Sequence, residues 1–177
     1  MDTRSIIRVY KKINLPKALV ELDHYRNFST LDCCIHNAAL AINHKGKRHS
    51  HQKRLSKKTL SIARDILVDN KNSIKEIKSF DQLFVLIDNL LKPVKGIGEL
   101  YIYDTSLRIG SYLDHLPEKV YLHSGTRIGA RSLGYKNKYI IEMNELPKEF
   151  HQLEPFEVED ILCIFEDKLR TRDKNKD

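Results

Sequence analysis

The sequence predicts a mainly α-helical fold, a multi-helix domain with little or no β structure, on three observations. Apolar residues recur at helical spacing in several separate stretches. Serine or proline stands where those stretches begin, and glycine or polar runs close them. Composition agrees: the 177 residues are 41% hydrophobic and 31% charged, which suits a globular chain long enough to bury a sizeable core.

In chain order, Pro16 opens a first helix through Ala18, Leu19, Val20 and Leu22. Ser29, with Asp32 three residues on, forms a variant of the capping box. Leu31, Cys34, Ile35, Ala38, Ala39 and Ile42 follow at helical spacing, and Gly46 supplies the stop. The stretch 44–58 then carries seven lysines and arginines, three histidines and no acid. It runs into a helix capped by Ser56, with Leu60, Ala63, Ile66 and Leu67 inward. "DNKNSIKEIKS" reads as a polar connection to a helix over 79–92, which is capped by Ser79 and striped by Phe80, Leu83, Phe84, Ile87, Leu90 and Leu91. Beyond residue 98, "ELYIYDTSLRIG" is helical. Val120 to Leu122 is a short extended piece, 125–133 a short helix stopped by Gly134, and "KYIIEM" a candidate strand. Pro155 suits the first position of a last helix faced by Val158, Ile161, Leu162, Phe165 and Leu169. The expected organisation is a helical region 1–78 containing the basic segment, a region 79–170 in the same globule, and a disordered tail 171–177.

Charge narrows the partners. Lys+Arg number 31 against 24 Asp+Glu, a net charge of +7, which favours an anionic partner such as nucleic acid or a membrane surface. The basic stretch lacks the aromatic or leucine-rich face of an interfacial helix. No apolar leader is visible in "MDTRSIIRVYKK", and no stretch approaches the roughly 20 residues of a membrane span. A cytoplasmic protein without a membrane partner is the expectation. Cys33, Cys34 and Cys163 are an odd set with two adjacent members, so no disulfide framework is implied. Together with His36, His44, His49 and His51 they complete no four-ligand metal spacing, so neither metal nor cofactor is expected.

Between the helices at 79–92 and 99–110 stands "PVKGIGEL", where Lys95 precedes Gly96, Ile97 and Gly98. This arrangement resembles the helix-hairpin-helix motif of DNA-binding proteins over about residues 80–110. The resemblance implies a hairpin set by Gly96, Ile97 and Gly98, with Ile97 plugged inward. The backbone N–H groups of Ile97, Gly98, Glu99 and Leu100 then receive a phosphate at the positive end of the second helix, beside Lys95. Ile102 departs from the motif, which places a small alanine there against the first helix. The helix-hairpin-helix DNA glycosylases add a catalytic lysine just after the hairpin and a downstream aspartate. Leu100 and Tyr121 occupy those places here, so no catalytic residue is assigned. Asp104, four residues before Arg108, reads as a helical ion pair.

A second basic surface is offered by Arg127 and Arg131, four apart on one helix face, with Ser124, Gly125 and Thr126 as a second phosphate cradle. The tyrosines 101, 103, 112 and 121 interleave with cations and suit base stacking unless they belong to the core. Arg127 and Arg131 have an alternative use in pairing with the acidic last helix. The resulting expectation is a non-catalytic protein that grips a nucleic-acid backbone, DNA rather than RNA, without reading sequence. Its contacts are Lys95, Gly96, Ile97, Gly98, Glu99, Leu100, Arg127, Arg131, Lys47, Arg48, Lys53 and Arg54. The alternatives are an accessory subunit whose acidic last helix docks a basic partner, and a DNA-processing enzyme with an unrecognised site.

Overall fold

Ten α-helices and one two-stranded sheet make up residues 2–170, the part of the chain that the structure, a computed structural model, describes. The fold is mainly α, as the periodicity predicts. The expected tail, 171–177, lies outside the described residues. The chain divides into two compact units: a central one, Ala18–Leu116, and a flanking one made of Met1–Lys17 and Pro117–Asp177.

In the flanking unit, α1 (Thr3–Ile13) is an element that the sequence reading did not place. Its start is fixed by Asp2, whose carboxylate accepts from the Ser5 amide at 2.9 Å. Ile6, Ile7 and Tyr10 enter the core on one face, and Lys11 and Lys12 sit in the last turn, where cations suit the helix dipole. β1 (Val120–Tyr121) and β2 (Ile140–Ile141) pair antiparallel, Val120 opposite Ile141. These are the two short extended pieces expected from the sequence. α8 (Ser124–Ser132), α9 (Pro155–Ile164) and the short α10 (Glu166–Arg170) complete the unit, with 3-10 turns at Met143–Glu145 and Lys148–Gln152. Pro155 opens α9 as predicted, inside a reciprocal cap between Glu154 and Glu157. Val120, Ile141, Phe150, Val158, Ile161 and Leu162 fill the core with the α1 residues. α8 lies hard against α9: a Cβ placed on Gly129 would stand 2.2 Å from the Leu162 carbonyl oxygen.

The central unit holds most of α2 (Leu15–Arg26), followed by α3 (Leu31–Ala39), α4 (Lys57–Asp69), α5 (Lys71–Lys75), α6 (Phe80–Leu91) and α7 (Glu99–Leu113). Pro16 falls in the first turn of α2, and the Ser56 and Ser79 hydroxyls cap α4 and α6 as expected. Three boundaries differ. Thr30, not Ser29, caps α3, its hydroxyl accepting from Cys33. That helix ends at Ala39, because Ala41 turns to φ 55, and Gly46 serves a separate tight turn in which it donates to the Asn43 carbonyl. The polar connection contains α5, because Ile74 is fully buried and pulls a helical turn onto the core. Cys34 is buried among Ile35, Leu60, Leu67, Leu83, Ile87, Leu91 and Ile102, whereas its neighbour Cys33 is exposed. The bulky Ile102, only 2% exposed, is absorbed by this core. Among the described residues no helix is long and apolar enough to cross a membrane.

Candidate nucleic-acid interface

The chain between α6 and α7 folds as two successive tight turns. The Val94 amide donates to the Leu91 carbonyl and the Ile97 amide to the Val94 carbonyl, at 2.9 and 3.0 Å. Gly96 takes φ +94, a left-handed conformation that a side chain would strain. Gly98, extended at φ −125, is the N-cap residue of α7 and brings no capping side chain. Nothing lies within 4 Å of where its Cβ would stand. Lys95, Gly96, Gly98 and Glu99 are exposed, while Ile97 and Leu100 are half-buried and Ile97 packs on the core. Ile97 leans on the core without being sealed into it. Its amide is already committed to Val94, so the expected set of phosphate donors contracts to the first turn of α7.

A second helix start adjoins this turn. A Cβ on Gly96 would stand 3.8 Å from the Thr59 side chain, which lies in the first turn of α4. Lys57 and Lys58 are exposed on that same first turn of α4, so the end of the 44–58 run comes up to the glycine turn. Lys53 and Arg54, also exposed, lie in the turn leading to Ser56, and Lys47 is exposed on the loop before them. Arg48 is used differently. It is half-buried, and its Nη1 donates to the Leu55 carbonyl at 2.9 Å, holding the loop closed.

Behind this loop is a polar cluster that sequence reading caught only in part. The expected Asp104–Arg108 pair forms at 3.3 Å, but Arg108 is buried, with its side chain 7% exposed. Its Nη1 donates to Gln52 Oε1 at 3.0 Å, and its guanidinium lies 5.8 Å from the Tyr25 ring. Asp104 also accepts from Gln52 Nε2 at 2.5 Å and bonds His51 Nε2 at 2.7 Å. With His51 and Gln52 tying loop to helix, Asp104 is a structural anchor of the basic segment. Nearby, the Tyr25 hydroxyl donates to the Ile42 carbonyl, and His44 bonds Glu21.

His49, 3.8 Å from Glu21, is pushed down to about 4 by burial first and then by the Arg108 cation, against the opposing pull of Glu21 and Asp104. At neutral pH its contact with Glu21 is therefore not an ion pair. Because the folded value lies below the ordinary 6.5, this imidazole's contribution to stability is complete above pH 6.5 and is lost as pH falls toward 4. Thermal unfolding should show stability falling progressively across that window. In His49→Gln the slope over this window should flatten; an unchanged slope would refute the assignment.

The second predicted surface is altered. Arg131 is exposed, but Arg127 is half-buried, donating to the Leu122 carbonyl at 3.1 Å with its guanidinium 5.1 Å from the exposed Tyr139 ring. The supposed cradle at 124–126 is filled from within. The Gly125 amide donates to His123 Nδ1, and Thr126 Oγ1 accepts from the His123 amide. That arrangement leaves the His123 Nε2–H to donate to Glu159 at 2.6 Å in the buried interior. Arg127 and Arg131 belong to the flanking unit and the other predicted contacts to the central one. Base stacking on the interleaved tyrosines is also corrected: Tyr101, Tyr103 and Tyr121 are at most 5% exposed, and Tyr112 packs on the core.

Two features escaped the sequence reading. One is the approach of the first turn of α4, which carries Lys57 and Lys58, to Gly96. The other is the basic outer face of α1, legible in retrospect from Arg4, Arg8, Lys11 and Lys12 at helical spacing opposite Ile6 and Tyr10. Among the described residues no group of three or more His, Cys, Asp or Glu side chains is arranged to hold a metal ion. No model of a known protein family, no curated protein and no solved structure matches the chain.

Proposed function

We propose that the protein binds nucleic acid, DNA rather than RNA, by gripping the phosphate backbone at the adjoining first turns of α4 and α7, without catalysis and without reading bases. The observation that carries this reading is the glycine turn set against the first turn of α4, where a Cβ on Gly96 would stand 3.8 Å from Thr59, with exposed Lys57, Lys58 and Lys95 on the two adjoining segments and an α7 start with no capping side chain. A helix N-terminus carries the equivalent of about +0.5 charge, and main-chain amides there accept a phosphate oxygen wherever side-chain bulk allows approach. The resemblance of "GIG" to the helix-hairpin-helix motif supports the same use. Lys53 and Arg54 extend the positive surface along the strand.

One substitution separates ligand binding from helix architecture. Asp is a better N-cap than Gly by a few tenths of a kcal/mol, and the space around Gly98 is open. Gly98→Asp should therefore hold or slightly raise the melting temperature. It also places a carboxylate where the phosphate is expected, so affinity for a fluorescent duplex at low salt should drop at least tenfold. Fluorescence anisotropy with duplex, single-stranded DNA and RNA oligonucleotides measures this. Unchanged affinity in Gly98→Asp, or no binding by the wild type at low salt, would end the proposal.

A further inference from the structure

A groove of about 930 Å³ lies in the flanking unit between α1 and the turn Lys148–Gln152. Ile7 floors it, and its walls carry five cations, Arg4, Arg8, Lys11, Lys12 and Lys148, against a single carboxylate, Glu149. The reason lies in α1. With Ile6, Ile7 and Tyr10 committed to the core, positions i, i+4, i+7 and i+8 from Arg4 share the outer side. Lys11 bridges the walls, its Nζ donating to the side-chain and main-chain oxygens of Gln152 at 3.1 and 3.4 Å. Arg4 stands 3.9 Å from Glu149, an exposed contact of small energetic weight. The side chains of Arg8, Lys12 and Lys148 are exposed and make no ion pair or hydrogen bond among the described residues.

Such a concentration of like charge is relieved by a bound polyanion, and the geometry indicates which kind. From Arg4 to Lys12 the cations extend over about 12 Å of helix axis at about 1.5 Å per residue. They form a row rather than converging on one point, which suits a repeating phosphate chain. No aromatic ring lines the groove, so nothing there stacks on a nucleobase. At about 3.4 Å per nucleotide of one strand, the row spans three or four phosphates. We propose that this groove is a second nucleic-acid backbone site, independent of the glycine turn and indifferent to sequence. The inference shares its class of ligand with the reading above but rests on different residues, so each can fail alone.

The test uses the full chain. Arg8→Glu combined with Lys12→Glu should weaken duplex binding at least tenfold at low salt, and lower the slope of log affinity against log salt by about two. Its melting temperature should match the wild type. Without any substitution, bound oligonucleotide should protect Lys12 and Lys148 at least threefold from acetylation by an N-hydroxysuccinimide ester, read by mass spectrometry, while the exposed Lys75 on α5 stays reactive. Loss of affinity in Gly98→Asp with none in the groove variant, and no protection of Lys12 and Lys148, overturns the groove. The converse overturns the glycine-turn reading and leaves the groove standing. Inorganic polyphosphate at matched phosphate concentration is the remaining arm. If it protects these lysines better than the oligonucleotide does, the nucleic-acid assignment falls.

Discussion

Gly129→Ala should lower the melting temperature of the protein by roughly 6–12 °C, a loss of about 3 kcal/mol. One methyl group has this effect because its obstacle is main chain. The added Cβ would meet the Leu162 carbonyl oxygen at 2.2 Å and its carbonyl carbon at 2.9 Å. A flexible side chain can swing aside, but α9 cannot move locally. Its residues Val158, Ile161 and Leu162 are fully buried in the same core that takes Ala130 from α8. Relief therefore requires the two helices to separate, which opens packing along their whole contact. Circular dichroism melts check the prediction, and a shift under about 2 °C would mean that α8 and α9 do not approach this closely.

The second large effect is expected at Asp104. Asp104→Leu removes the carboxylate facing the buried Arg108 guanidinium and deletes the acceptor used by Gln52 and His51. Breaking a buried pair from one side typically costs about 3–5 kcal/mol, because the remaining charge stays desolvated without its counter-charge. Here Gln52 Oε1 and the Ala38 carbonyl still accept from Arg108, so the lower end, about 3 kcal/mol, is expected. Adding Arg108→Met should recover most of that loss, since replacing both charges removes the desolvated cation itself. Guanidinium chloride unfolding of the two single variants and the double variant measures the coupling. A single-variant cost below about 1 kcal/mol would show that the pair is not a keystone. In Asp104→Leu, faster amide hydrogen exchange over 49–55 should accompany the loss, because His51 and Gln52 anchor that segment through the same carboxylate.

Much of the helical plan was legible because it is written in local chemistry. Ser56 and Ser79 announce their helices by capping, Pro155 opens another, and the stripes Leu60–Ala63–Leu67 and Leu83–Ile87–Leu91 point to the interior without any knowledge of the partner. What escaped depends on partners distant in sequence. α1 is basic overall, and only its contacts with residues beyond 117 explain why Ile6, Ile7 and Tyr10 are inside. Within 69–79 polar residues outnumber apolar ones, yet a single fully buried isoleucine, Ile74, decides the conformation. The glycine turn could be singled out from its residue pattern, and so could the inward lean of Ile97. Its nearness to α4 could not, because the Gly96–Thr59 approach joins residues nearly forty positions apart. The interleaved tyrosines misled for a related reason. A ring flanked by cations in sequence looks like a stacking platform, but helical geometry turns Tyr101 inward, where its hydroxyl donates to the Ala39 carbonyl at 2.6 Å.

The interrupted layout of the flanking unit has a consequence for the order in which the chain is made. α1 leaves the ribosome ahead of the central unit, and about 100 residues separate it from β1 and the helices that cover its apolar side. At about 5–20 residues per second, that is a wait on the order of 5–20 seconds. Eleven residues are too few to hold a helix firmly in water on their own. The newborn protein therefore carries an unsheltered Ile-Ile-x-x-Tyr segment while its middle portion can already fold, and it is during this interval that a nascent-chain chaperone has something to hold.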